Sequence, residues 1–139
     1  MRETFLIGRI VFGGYLLYNA IHHFMSLGMM TQTVASRGVP LPGLAVVASG
    51  LLLLIGGLSL LLGVLPRVGV GAIVLFLIPV TLIMHQFWAL DGAARMAQMV
   101  NFTKNIALIG ASLMLVAVPE PWPYSVTARM KHLARPLPA

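Results

Sequence analysis

From residue 44 to residue 65 the chain carries no charged side chain, and after a single Pro66-Arg67 step it is uncharged again to residue 90. Each stretch is long enough to cross the hydrocarbon of a bilayer, which takes about 20 residues of helix. In lipid a backbone must satisfy its own polar groups, so each stretch is a helix. A two-residue connection makes the two helices antiparallel neighbours. That pair limits every reading of the rest.

Only 9% of the 139 residues are charged, against about 25% in a soluble domain, so the chain lacks the polar surface to face water. It reads as an all-α integral membrane protein, a single membrane domain over 1–139 forming a four-helix transmembrane bundle. Spans fall at about 5–27, 44–65, 68–90 and 102–118, with a basic interfacial tail over 119–139. Arg9 interrupts the first apolar run and no small-residue cleavage site follows, so that run reads as a retained helix. Arg9 is expected to snorkel to the headgroups.

Pro40 and Pro42 stop any helix in the connection after the first span, where residues 29–36 suit a short interfacial helix. A stripe of Ala45, Ser49, Gly56, Ser59 and Gly63 gives the second span a face for close packing. Pro79 predicts a kink in the third span. Asp91 is placed to cap a short helix over 92–99. In the tail, Trp122 and Tyr124 suit an interfacial belt, and the basic remainder suits a membrane surface or a partner.

Cysteine is absent, which excludes disulfides and thiolate chemistry. The formal charge of +6 forms no basic, aromatic-interleaved patch, so the expected contacts are lipids and membrane subunits and not nucleic acid. With four spans, Arg2, Arg9, Arg67, Arg129, Lys131 and Arg135 share one side, against Arg37, Arg95 and Lys104 on the other. The positive-inside rule then puts both termini in the cytoplasm of an inner-membrane protein.

This topology gathers the polar residues at the outer end. Asn19, His22 and His23 close the first span. Thr81, His85 and Trp88, spaced i, i+4, i+7, share one face of the third if it stays helical. Asn101, Lys104, Asn105 and Ser112 stripe the fourth, and Asp91 is the one carboxylate between. Three uses are open. The groups bond each other and set helix register, at about 0.6 kcal/mol per interhelical bond. Or His85, Lys104, Asn105, Asn19, His22 and His23 line a pocket for a quinone headgroup, with Trp88 and Phe87 against its ring. Or His85 with His22 or His23 ligates haem, which only their common depth supports. Catalysis would fall to His85, Lys104 and Asp91. No other metal site is read from the sequence. A hydrolase lacks a nucleophile motif, and a channel lacks a polar path through the inner half.

Several motifs together resemble the DoxX family of small four-helix bacterial membrane proteins. They are Gly8-Arg9, RGVPLP at 37–42, the run from Ser49 to Arg67, PVTLIMHQFW at 79–88 and NFTKNIALIG at 101–110. The resemblance covers nearly the whole chain. It implies a membrane subunit of a redox assembly, a family context to which thiosulfate:quinone or quinol oxidase activity has been ascribed. It carries His85, Lys104 and Asn105 as functional positions, the last two within F-x-K-N-x-A-L at 102–108. Members often have a glutamate before the paired glycines of the second span. Here that place reads Leu52-Leu53-Leu54-Ile55. The expectation is therefore an accessory subunit of a respiratory or photosynthetic electron-transfer complex, with quinone or lipid contacts. The alternative is a quinone-linked oxidoreductase subunit with its own outer-face site.

Overall fold

The structure is a computed structural model and describes residues 1–133. Residues 134–139, with Arg135 and the end of the basic tail, lie outside the described residues. Six helices follow in order: α1 (Arg2–Met25), α2 (Leu27–Ala35), α3 (Pro42–Leu62), α4 (Pro66–Met84), α5 (Gly92–Leu115) and α6 (Val126–Leu133). No strand occurs among the described residues. Helix α1 packs on α3, α3 on α4 and α4 on α5, while α2 lies against α3.

Three of these, α1, α3 and α4 with its C-terminal extension, are long and apolar enough to cross a membrane. Helix α5 matches them in length, but Arg95, Gln98, Asn101 and Lys104 make its first half polar. The burial pattern is that of a membrane protein. Ile7, Val11, Leu51, Leu75, Ile78 and Leu113 stand exposed, whereas Arg9, Ser59, Thr81, Asn105 and Ser112 are buried. Lipid wets the apolar side chains, and the polar ones turn inward to find partners.

Of the small-residue stripe, Gly56, Ser59 and Gly63 are buried and Ala45 and Ser49 half-buried, and Gly50 and Gly57, outside the stripe, are buried on α3 as well. A Cβ on Gly13 of α1 would stand 3.0 Å from the Gly57 carbonyl oxygen, so the two backbones touch. Helix α3 closes on Gly63, whose φ of 66° is the left-handed cap that glycine adopts without strain. Ser59 Oγ then donates to the carbonyls of Val64 and Leu65, at 2.7 and 3.0 Å. Pro66 opens α4, where its missing N–H costs nothing, so the tight turn lies at Gly63–Leu65 and not at the predicted Pro66-Arg67 step.

Two expectations are overturned at the end of the bundle that carries the tail. Arg9 does not snorkel. It is 3% exposed, and its guanidinium donates to the carbonyls of Leu60 (2.9 Å), Leu61 (3.0 Å) and Pro123 (2.7 Å). The last carbonyls of α3 have no intrahelical partner, and the negative pole of the helix favours a cation there. Trp122 is not an interfacial anchor, being 1% exposed. Its ring stands edge-on to Phe5 with centroids 5.1 Å apart, and Arg9 lies 5.5 Å from its centre. Burial of the whole indole outweighs a half-wet position because Nε1 still reaches the Val118 carbonyl, at 3.3 Å.

As far as residue 133 the tail is thus held by its own chain. Ser125 Oγ accepts from the Ala128 N–H and starts α6, and the Thr127 hydroxyl donates to the Gly63 carbonyl at 3.2 Å. The Tyr124 hydroxyl donates to Glu3 Oε1 at 3.0 Å. That bond, and then the charge of Glu3, push the Tyr124 phenol above its ordinary pKa. The folded state therefore favours the protonated phenol. The contact persists below the unfolded pKa and is lost as pH rises through the folded one. Glu3→Gln is expected to bring the Tyr124 titration back down. The phenolate absorbance, with Tyr124→Phe subtracted, reads it, and an unmoved titration would count against the bond.

Candidate functional site

The opposite, polar end collects the C-terminus of α1, the N-terminus of α3, the C-terminus of α4 and the N-terminus of α5. Helix α4 contains Pro79 and stops at Met84. His85 leaves the helical region, with φ of −114° and ψ of 47°, and Phe87–Ala89 form one turn of 3-10 helix. The predicted span toward residue 90 keeps its extent, to Ala89, but its regular α-helix ends at Met84, and Thr81, His85 and Trp88 do not share one helical face. Tertiary contacts replace the last helical turn. His85 Nδ1 meets Gln98 Oε1 of α5 at 2.7 Å, and the Phe87 ring meets Phe102 of α5 at 5.3 Å.

Helix α5 is one continuous rod, not a short helix over 92–99 followed by a span from 102. No glycine or proline stands between residues 93 and 109 to break it. Gly92, with φ of 58°, makes the entry turn. Asp91 occupies the N-cap position but its side chain makes no capping bond, and it is exposed.

The predicted site residues are at one end of the bundle but do not close on one another. Asn105 is 5% exposed and faces inward, as does Ser112, whose hydroxyl bonds back to the Leu108 carbonyl at 2.7 Å. Lys104, next in sequence to Asn105, falls on the exposed side of α5 and donates to Asn101 Oδ1 of its own helix at 3.1 Å. On α1, His22 is exposed. His23 is half-buried, with Nδ1 2.9 Å from the Asn19 carbonyl oxygen and its ring edge-on to Phe76. The Asn19 amide donates to the Tyr15 carbonyl at 2.7 Å. Thr81 is buried and bonds back to Leu77, so it is a core residue.

The feature that does assemble is the α4–α5 connection. Phe87, Trp88 and Phe102 form a mutual edge-to-face cluster, with centroids 5.3 to 5.9 Å apart. Trp88 remains 55% exposed. Beside it, Gln98 fixes the His85 ring. With the Gln98 oxygen as acceptor, Nδ1 carries the hydrogen and a neutral ring leaves Nε2 as an acceptor. Gln98 escaped the sequence reading. Its place one heptad before Asn105 on a continuous α5 was the available signal, hidden by the expected break. The Arg9–Trp122 centre escaped as well, since its partners are main-chain oxygens that no motif records.

A family model described as DoxX matches residues 4–86. The match ends before α5, so the Phe102, Lys104 and Asn105 motif lies beyond it. Over 124 residues the chain is 27% identical to "Inner membrane protein YphA" of Escherichia coli (strain K12), covering 89% of this chain and 88% of that one. No solved structure matches the chain.

Proposed function

The chain belongs to the DoxX family of membrane proteins, and on that premise we propose that it is a non-catalytic, multi-pass inner-membrane subunit of a larger electron-transfer assembly. In this reading its termini face the cytoplasm, and the polar end offers a contact for a quinol headgroup delivered to, or leaving, a respiratory or photosynthetic partner. The observation that carries the reading is the aromatic shelf of Phe87, Trp88 and Phe102 next to the His85–Gln98 bond. An exposed indole offers a face for a ring. A neutral His85 with Nε2 free accepts a hydroxyl hydrogen, which a quinol has and a quinone lacks.

A subunit role is favoured over catalysis by how the remaining polar groups are used. Lys104 is on the exposed flank with Asn101, and His23 bonds within α1. These groups are occupied locally and are not aimed at one reacting atom, as concerted acid–base work requires. Outward-facing apolar side chains on every long helix leave room for neighbouring subunits in the bilayer.

Purification in mild detergent, with mass spectrometry of co-purifying chains and of extracted quinones, tests both halves. Defined partner chains and bound quinol, recovered as quinone after extraction in air, are expected, with that ligand lost in Trp88→Ala. A lone protein without quinone would overturn the proposal. Donor-dependent quinone reduction by the isolated protein, abolished in His85→Ala or Lys104→Ala while the protein still assembles, would replace it with the oxidoreductase reading.

A further inference from the structure

The other end of the bundle carries a second, unrelated feature. Between α1 and α5 the seam stays open as a cavity of about 550 Å³, lined by Thr4, Gly8, Arg9, Phe12, Ala111 and Leu115 among others. This lies within the range of small-ligand sites, about 300–1,000 Å³. Gly8 and Ala111 are exposed, and nothing stands within 4 Å of where a Gly8 Cβ would be, so the seam opens sideways to the bilayer. The side chains lining it are apolar apart from Thr4 and Arg9.

Arg9 gives the cavity a sign. The ion pairs among the described residues join the Met1 amine to Glu3 and Arg67 to Glu120. Arg9 has neither carboxylate. Its partners are three main-chain oxygens and the ring faces of Phe5 and Trp122. Three of the five N–H donors of a guanidinium serve those oxygens. A buried cation is costly without an opposite charge, and its attraction for one is stronger than in water. The surrounding end is basic as well. Arg2, Arg67, Arg129 and Lys131 are exposed there, against Glu3 and Glu120.

Depth agrees with charge. Arg9 is level with the last turn of α3, the end of a helix long and apolar enough to cross a membrane, and Phe12 and Ala111 each lie about one helical turn further in. We propose that this seam binds an anionic phospholipid, with one acyl chain along Gly8, Phe12, Ala111 and Leu115 and its phosphate beside Thr4 and Arg9. A zwitterionic lipid would fill the apolar part but leave the charge of Arg9 uncompensated. The site is independent of the quinol contact, which is at the opposite end.

Native mass spectrometry of the delipidated protein tests this, with phosphatidylglycerol and phosphatidylcholine of matched chains added separately. One tight phosphatidylglycerol adduct is expected, favoured over phosphatidylcholine by about fivefold, the preference that one near-surface arginine supplies. Ala111→Phe and Gly8→Phe, which fill the seam from opposite helices, are expected to abolish that preference while leaving the melting temperature in detergent close to the parent. Either variant suffices if the other fails to fold. Equal uptake of the two lipids, or a preference untouched by a folded seam-filling variant, would overturn the proposal. So would loss of the phosphatidylglycerol preference on adding inorganic phosphate alone, which would mark a plain anion site.

Discussion

Arg9→Ala is expected to release the C-terminal segment and to destabilise the bundle by at least about 3 kcal/mol, since hydrogen bonds from a charged donor contribute about 1.5–3 kcal/mol each and three are lost together. The loss is less than additive because the carbonyls of Leu60 and Leu61 are neighbours on one turn. It includes the contact with Phe5 and Trp122, whose rings would face a void. Arg9→Lys should recover only part of it. An ammonium keeps the charge but cannot fork across the end of α3 and also reach Pro123. Chemical unfolding in detergent measures the first effect. Trypsin cleavage at Arg129 and Lys131 measures the second, because release of α6 exposes both bonds to the protease. A variant that unfolds with the parent and keeps its tail protected would show that the arginine holds nothing together.

The next largest effect is expected at Gly13, by contrast with its neighbour Gly14. A side chain on Gly13 would meet the Gly57 oxygen at 3.0 Å and the Leu61 nitrogen at 3.1 Å, both main-chain atoms that can yield only if α1 and α3 separate. Gly13→Val should therefore cost toward the upper end of the about 1–3 kcal/mol typical of overpacking. Gly14 has nothing within 4 Å of its would-be Cβ. Gly14→Ala should be neutral or stabilising by up to about 1 kcal/mol, the helix preference of alanine over glycine. Unfolding curves of the two variants side by side decide the matter. Equal effects at the adjacent glycines would mean that α1 and α3 are not in backbone contact.

Both predictions rest on features of unequal legibility. The α1–α3 contact was foreshadowed by small residues at helical spacing, because a close approach of backbones demands them wherever the partner lies. The Arg9 clamp was not. An arginine two turns into an apolar helix reads equally well as snorkelling out or capping inward, and only the position of the α3 terminus selects the second. Trp122 poses the same ambiguity, since a tryptophan between prolines suits a membrane interface and a buried corner alike.

The polar end shows a similar division. That Asn19, His23, His85, Asn101 and Asn105 gather at one end follows from counting spans, because antiparallel helices fix which ends lie together. Which of them meet does not follow. His85 found Gln98 because α4 gave up a turn that its sequence could have continued, and Lys104 turned away from Asn105 because consecutive helical residues point about 100° apart.

Read alone, the residues determined the membrane class, the long helices, the tight α3–α4 turn and the glycine-lined packing face. These depend on hydropathy and backbone chemistry, which act locally along a chain. The tertiary structure alone decided the end of α4, the fusion of α5, the His85–Gln98 bond and the capture of the tail by Arg9. Each is a choice between partners of similar strength, and in a low-dielectric bundle it is settled by which polar group is left unsatisfied nearby. That depends on helices far apart in sequence, so no local pattern records it.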